Sequence, residues 1–168
     1  MEKNIDIAAL GELLIDFTEA GTGADGMRLF EQNPGGAPAN LLTVASHMGY
    51  RTEFIGKVGK DMHGAFLKKT LEKENIGVSN LIEDDNYFTT LAFVAIDESG
   101  EREFSFARKP GADTQLRADE LNKELLQNCR IFHFGSLNIS GVLNLKCHFI
   151  CHNIAFRCCF LQQRISAD

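Results

Sequence analysis

The stretch Asn33-Pro34-Gly35-Gly36-Ala37-Pro38-Ala39-Asn40 constrains this chain more than any other. Two adjacent glycines free the backbone to turn sharply and to come close to a small ligand. Pro34 fixes the approach, and Pro38 suits the first turn of a helix, where a missing N–H costs nothing. The run from Ala39 to Met48 reads as a helix, and Gly49 is a natural stop. The loop therefore brings free backbone N–H groups, a helix start and the Asn40 side chain to one spot, which suits hydroxyls or an anion. A strand-to-helix turn whose glycines serve packing alone explains the local pattern equally well.

Upstream, Ile5–Leu10 is an apolar run ended by Gly11, as in a buried strand, and Leu13–Phe17 is a second run that contains Asp16. An acid in an apolar strand is costly to bury, so Asp16 belongs at a strand end facing donors; it either caps a turn or receives ligand hydroxyls. Gly21-Thr22-Gly23-Ala24-Asp25-Gly26 matches the dinucleotide pattern G-x-G-x-x-G. Its context rejects that reading, because only Met27–Asn33 separates it from the Pro34 turn, too little for the helix a Rossmann fingerprint opens. It reads as a surface loop.

Downstream, Thr52–Gly56 is strand-like, Gly56–Asp61 is a glycine-punctuated turn, and a helix is expected from about Met62 to Asn75, ended by Gly77. Gly56-Lys57 lacks the flanking residues of a P-loop. The alternation of strands and helices favours a parallel sheet covered by helices. The middle breaks that rhythm. Phe88–Ile96 and Arg102–Ala107 flank Asp97–Glu101 as the arms of a hairpin. Phe104 and Phe106 alternate onto one face, which predicts one covered and one wet side. Arg108 can reach a polar ligand beside the Pro110-Gly111 turn, whereas Lys109 reads as a solvated strand end. A helix is expected over Ala118–Gln127 and a strand over Ile131–Gly135, with His133 packed in the core.

Composition excludes several roles. The net charge is −6 and the longest basic run is Lys68-Lys69, so non-specific nucleic-acid binding is not indicated. No stretch approaches the ~18 apolar residues of a membrane helix. Met1–Asp6 carries acids and leads straight into a strand-like run, unlike a signal or transit peptide, which points to the cytoplasm. Four of the five cysteines, Cys147, Cys151, Cys158 and Cys159, fall after residue 140, which is not the spread of a disulfide framework.

Taken together, Gly11–Phe17, the Asn33–Asn40 loop, Gly56-Lys57-Val58-Gly59-Lys60-Asp61-Met62-His63-Gly64, the Phe104–Asp113 arm and Phe132–Ser136 resemble the ribokinase-like (PfkB) sugar kinases, fructokinases above all. The resemblance runs from about Ile5 to Ser140. It implies an α/β fold, a parallel sheet covered by helices, with a small β-sheet lid built from about 17–33 and 88–108, present here in truncated form. It also implies ATP-dependent phosphorylation of D-fructose to fructose 6-phosphate. By position, Asp16 is similar to the carboxylate that accepts hydrogen bonds from sugar hydroxyls. Gly35, Gly36 and Asn40 match the loop that holds the sugar, and Phe104 and Arg108 match lid residues that cover it.

The departures carry equal weight. The family's catalytic base lies in a Gly-Ala-Gly-Asp loop, a string this sequence does not contain. Gly111-Ala112-Asp113 belongs to the sugar-side arm and does not take that role. The ATP and Mg2+ positions of the complete family enzyme fall beyond the resembling residues, so no catalytic, cofactor or metal residue is assigned, and little kinase activity is expected of the chain alone. From Gly141 the sequence diverges into a tail, consistent with a frameshift or an altered splice end. A metal site from Cys147, His148, Cys151 and His152 is disfavoured, because structural zinc sites draw ligands from two separated turns. The alternative role is a non-catalytic fragment that binds sugar or pairs through its lid edges, with itself or with a full-length kinase.

Overall fold

The computed structural model describes residues 4–96 and 102–135. The expected hairpin turn at 97–101, Ser136 and the 141–168 tail with its cysteines and histidines lie outside the described residues. In chain order the elements are β1 (Ile5–Leu10), β2 (Leu14–Thr22), β3 (Arg28–Gly35), α1 (Ala37–His47), β4 (Thr52–Gly59), α2 (Met62–Lys73), β5 (Ile76–Asp84), β6 (Leu91–Ile96), β7 (Arg102–Ala107), α3 (Lys123–Asn128) and β8 (Cys129–Phe134). Short 3-10 turns occupy Ala112–Gln115 and Ala118–Glu120.

The strands form two sheets. The larger is wholly parallel, in the order β5-β4-β1-β8. Its central strands lack polar alternation because both faces are covered, as parallel sheets require. Successive residues of β1 and β4 point to opposite faces, and the sequence sorts accordingly. Ala9, Phe54 and Val58 join Leu42, Leu67 and Leu71 under α1 and α2. Ala8, Leu10 and Ile55 meet Leu116, Leu121, Leu125 and Leu126 on the other side. Each fully buried Leu or Phe contributes about 1.5–3 kcal/mol relative to exposure.

The smaller sheet has the order β3-β2-β6-β7, with β2 parallel to β6 and the outer pairs antiparallel. Gly21–Gly26 lies at the β2–β3 hairpin, which accounts for its glycines without a nucleotide. Among the described residues no helix is long and apolar enough to cross a membrane.

Several expectations are corrected. The strand expected to end at Gly56 continues to Gly59, because Lys57 is not a turn residue. Its ammonium is buried and donates to Asp84 Oδ2 at 3.1 Å and Glu120 Oε1 at 2.7 Å. β5 was not expected; Gly77, Ser79 and Asn80 weaken its strand pattern, and pairing with β4 overrides that preference. α2 ends at Lys73 and the reversal is made by Asn75 at φ 57°, ahead of Gly77. The helix expected over Ala118–Gln127 is split. Glu120 turns back to the Arg117 N–H, and the Asn122 side chain caps Leu125, so local hydrogen bonds restart the chain in between. On β7 neither face is well covered: Phe104 is 51% and Phe106 47% exposed, their rings stacked 6.2 Å apart.

Candidate functional site

The site grows from the junction of β1 and β2. Gly11 ends β1, Glu12 and Leu13 bridge, and β2 carries Asp16 toward its partner Asn33 on β3. β3 then runs through Gly35 into Gly36, the residue that precedes α1, and the two neighbouring glycines face different groups. A Cβ on Gly35 would lie 2.2 Å from Asp16 Oδ2, so the carboxylate lies directly over that glycine. Gly36 has φ +121°, and a Cβ there would meet the Glu12 carbonyl oxygen at 2.3 Å. The loop thus needs both glycines, one for contact with a carboxylate and one for conformation.

Asp16 is half-buried. Burial pushes its carboxyl above the ordinary value, with no hydrogen bond or cation to offset it. An acceptor kept partly dry and unpaired is ready for hydroxyl donors. Asn40 lies in the first turn of α1, its N–H bonded to the Gly36 carbonyl at 3.0 Å and its side chain exposed beside the loop. Asn33 shares the Asp16 face and donates to Thr18 Oγ1 at 2.9 Å.

The arm residues are placed differently. Cross-strand pairing sets Asp16, Ala92 and Phe106 in one row, and Thr18, Val94 and Phe104 in the next. Phe106 is therefore level with Asp16, and Phe104, the expected residue, stands one row farther out on the same face. Arg108 follows the end of β7, where its Nη2 donates to the buried Asp113 carboxylate. The Thr90 hydroxyl donates to the other oxygen of Asp113 at 2.6 Å. Phe106 and Arg108 line a cleft of about 670 Å³, facing Asp61, His63 and Thr89.

Asp61, in the Gly-x-Asp string, is a structural carboxylate. It caps α2 by accepting from the His63 and Gly64 N–H groups at 3.0 and 2.8 Å, and it accepts from the N–H and hydroxyl of Thr89, both at 2.8 Å. Burial raises its carboxyl, but these donors outweigh burial and hold it below the usual range.

Glu12 and Phe106 were missed. Phe106 needed the strand register. For Glu12 the signal was in plain view: an acid between Gly11 and Leu13-Leu14 invites the same question as Asp16. Its side chain is buried, with Oε1 accepting from the Ala37 N–H at 3.1 Å and Oε2 without a hydrogen-bond partner. Burial raises its carboxyl by more than hydrogen bonds from backbone N–H groups and the Arg108 charge offset. His133 is buried, and burial lowers its imidazole, which keeps it neutral.

A parallel sheet with a small mixed sheet beside its carboxyl ends is the architecture of fructokinase crystal structures. Fructokinase from Xylella fastidiosa superposes with a TM-score of 0.84 at 30% identity, over 93% of this chain and 49% of that one. The profile of the pfkB family carbohydrate kinases matches residues 4–162, and the chain belongs to that family. The match passes beyond Ser140, where the resemblance of individual motifs ends. Fructokinase-1 of Zea mays is 41% identical over 135 residues, which are 79% of this chain and 42% of the relative. An uncharacterized sugar kinase of Pyrococcus horikoshii, solved in complex with ATP, is 32% identical with a TM-score of 0.73, over 81% of this chain and 45% of that one. The chain spans about two fifths of the length of the curated relatives it matches.

Proposed function

We propose that this chain carries the sugar-holding part of a fructokinase-like kinase, whose whole reaction moves the γ-phosphoryl group of ATP to D-fructose in the cytoplasm and yields fructose 6-phosphate. The observation that carries this reading is the Asp16 carboxylate, half-buried, unpaired and lying over Gly35 at a helix start. A polyol needs fixed acceptors and donors in a partly dry site, and phosphoryl transfer needs the acceptor hydroxyl held in line with water excluded. Asp16 accepts from the sugar hydroxyls, while Gly35, Gly36 and Asn40 bound its other side. The small sheet acts as the lid, with Phe104 on it, Arg108 just past its last strand, and Phe106 in the row of Asp16.

The phosphoryl machinery is assigned to other residues. Among the described residues no three His, Cys, Asp or Glu side chains gather as a cation site. The chain alone should bind fructose weakly and release little ADP from ATP. Calorimetric titration of the chain with fructose, beside Asp16→Asn, tests the sugar site, with loss of the binding heat expected in the variant. An Asp16→Asn protein that binds fructose as the wild type does refutes this assignment, and ordinary turnover in a coupled ADP assay refutes the division of labour.

A second reading has its own support. On the sheet face opposite Asp16, Phe17 stacks on Phe93 at 5.2 Å and Phe30 meets Phe93 edge-on, with Phe30 41% and Phe93 39% exposed. Exposed aromatics on a small sheet suit pairing with a second copy or with a full-length kinase. Size-exclusion chromatography with and without such a kinase should show an assembly that Phe93→Glu dissolves. A monomer in both runs removes the reading.

A further inference from the structure

The carboxylate of Glu12 presents a physical problem that packing does not solve. It is 2% exposed, and an apolar side chain would fill the same space without the cost of desolvating an acid. Its oxygens face two segments. Oε1 accepts the Ala37 N–H at 3.1 Å, at the first residue of α1. Oε2 lies against Gly135, just past β8, where a Cβ would approach it to 3.0 Å. Its own carbonyl oxygen packs against Gly36. One residue thus touches the turn that bounds the sugar site on one side and the end of the parallel sheet on the other.

We propose that Glu12 is a positioning residue for the sugar cradle: through the Ala37 N–H it fixes the Gly36–Ala37 turn and sets it against the end of β8. The inference rests on the sugar reading of the Asp16 site and adds how that site is held in shape. Gly36 holds a conformation that favours glycine and has no side chain of its own to anchor it. A free turn there would let Gly35 drift from Asp16, and preorganised sites lose affinity when their supporting contacts are removed. Arg108 and Asp113 lie close enough for their charges, opposite in sign, to act on Glu12.

The test uses the full chain as wild type, Glu12→Ala, Glu12→Gln and Glu12→Asp. Hydrogen exchange at the Ala37 amide and fructose affinity by calorimetry are measured on each. Glu12→Ala should lose about tenfold in Ala37 protection and about tenfold in affinity, while amides in β1 and β4 keep theirs. Glu12→Gln, whose carbonyl replaces Oε1, should stay within about threefold of wild type. Glu12→Asp keeps the charge but is one methylene too short, so it should lose Ala37 protection as well; it decides the matter should the alanine variant fail to fold. Wild-type Ala37 protection in Glu12→Ala or Glu12→Asp, or a loss spread evenly over all strands, overturns the proposal. A wild-type chain that takes up no fructose removes the sugar reading, and the cradle's purpose with it, whereas the Ala37 exchange separately reports whether Glu12 holds the turn.

Discussion

Two aspartates close to the carboxyl ends of the parallel strands have opposite surroundings. Asp61, after β4, accepts from four donors and is held low. Asp16, on β2, has none to offset its burial and is pushed up. The same division extends to their neighbourhoods. Around β4, the buried Lys57 meets two carboxylates. Around the β1–β2 junction, Glu12 keeps one buried oxygen without a partner. The carboxylate of Asp61 at the β4 end is therefore satisfied by the fold, while at the β1–β2 end Asp16 and one oxygen of Glu12 are not. Asp61 finds its donors within the fold, whereas on the sugar reading proposed above Asp16 receives them from the ligand.

That contrast can be broken by mutation. The largest effect is expected at Lys57→Ala, which strands the carboxylates of Asp84 and Glu120 and should lower unfolding free energy by about 3 kcal/mol in urea denaturation. Asp61→Ala removes the cap of α2 and the anchor of Thr89, with an expected loss of about 2 kcal/mol. Asp16→Asn should leave the melting temperature unchanged or raise it, while removing the fructose binding proposed for this site. A loss of stability at Asp16 as large as at Asp61 would erase the distinction between the two regions.

Acidity sharpens the comparison, because the two aspartates have opposite signs. Asp61 is depressed in the folded state, so its stabilisation is present above the ordinary carboxylate value of about 3.9 and is lost as the pH falls through its own lower value. Asp16 is raised, so the folded state keeps its proton longer, and ionising it costs stability as the pH rises from the ordinary value through the raised one. The stability difference between Asp16→Asn and wild type should grow over that window and then level off; the difference between Asp61→Asn and wild type should be smallest in acid. Denaturant midpoints measured from acid to neutral pH check both slopes.

Much of the frame was readable in the residues. The Pro38 start of α1 and the apolar runs of β1, β2 and β8 announce themselves, because two-sided burial and the special needs of glycine and proline act locally. β5 did not, since its Gly77, Ser79 and Asn80 are tolerated only through pairing with β4. The level of Phe106 relative to Asp16 depends on the register of three strands, which no local pattern encodes. The restart at Asn122 was hidden because helix-forming composition competes there with side-chain caps.

The order of the parallel sheet bears on how the chain assembles during synthesis. β1 is an interior strand, yet its two neighbours arrive at very different times: β4 begins at Thr52 and β8 only at Cys129. The β1–β4–β5 half, with α1 and α2 against it, can form while later residues are still being added. Until Cys129–Phe134 is translated, the other edge of β1 offers unpaired N–H and C=O groups, including the Leu10 carbonyl that Gly135 eventually satisfies. Through that interval the nascent chain carries an open strand edge, the feature through which separate chains pair.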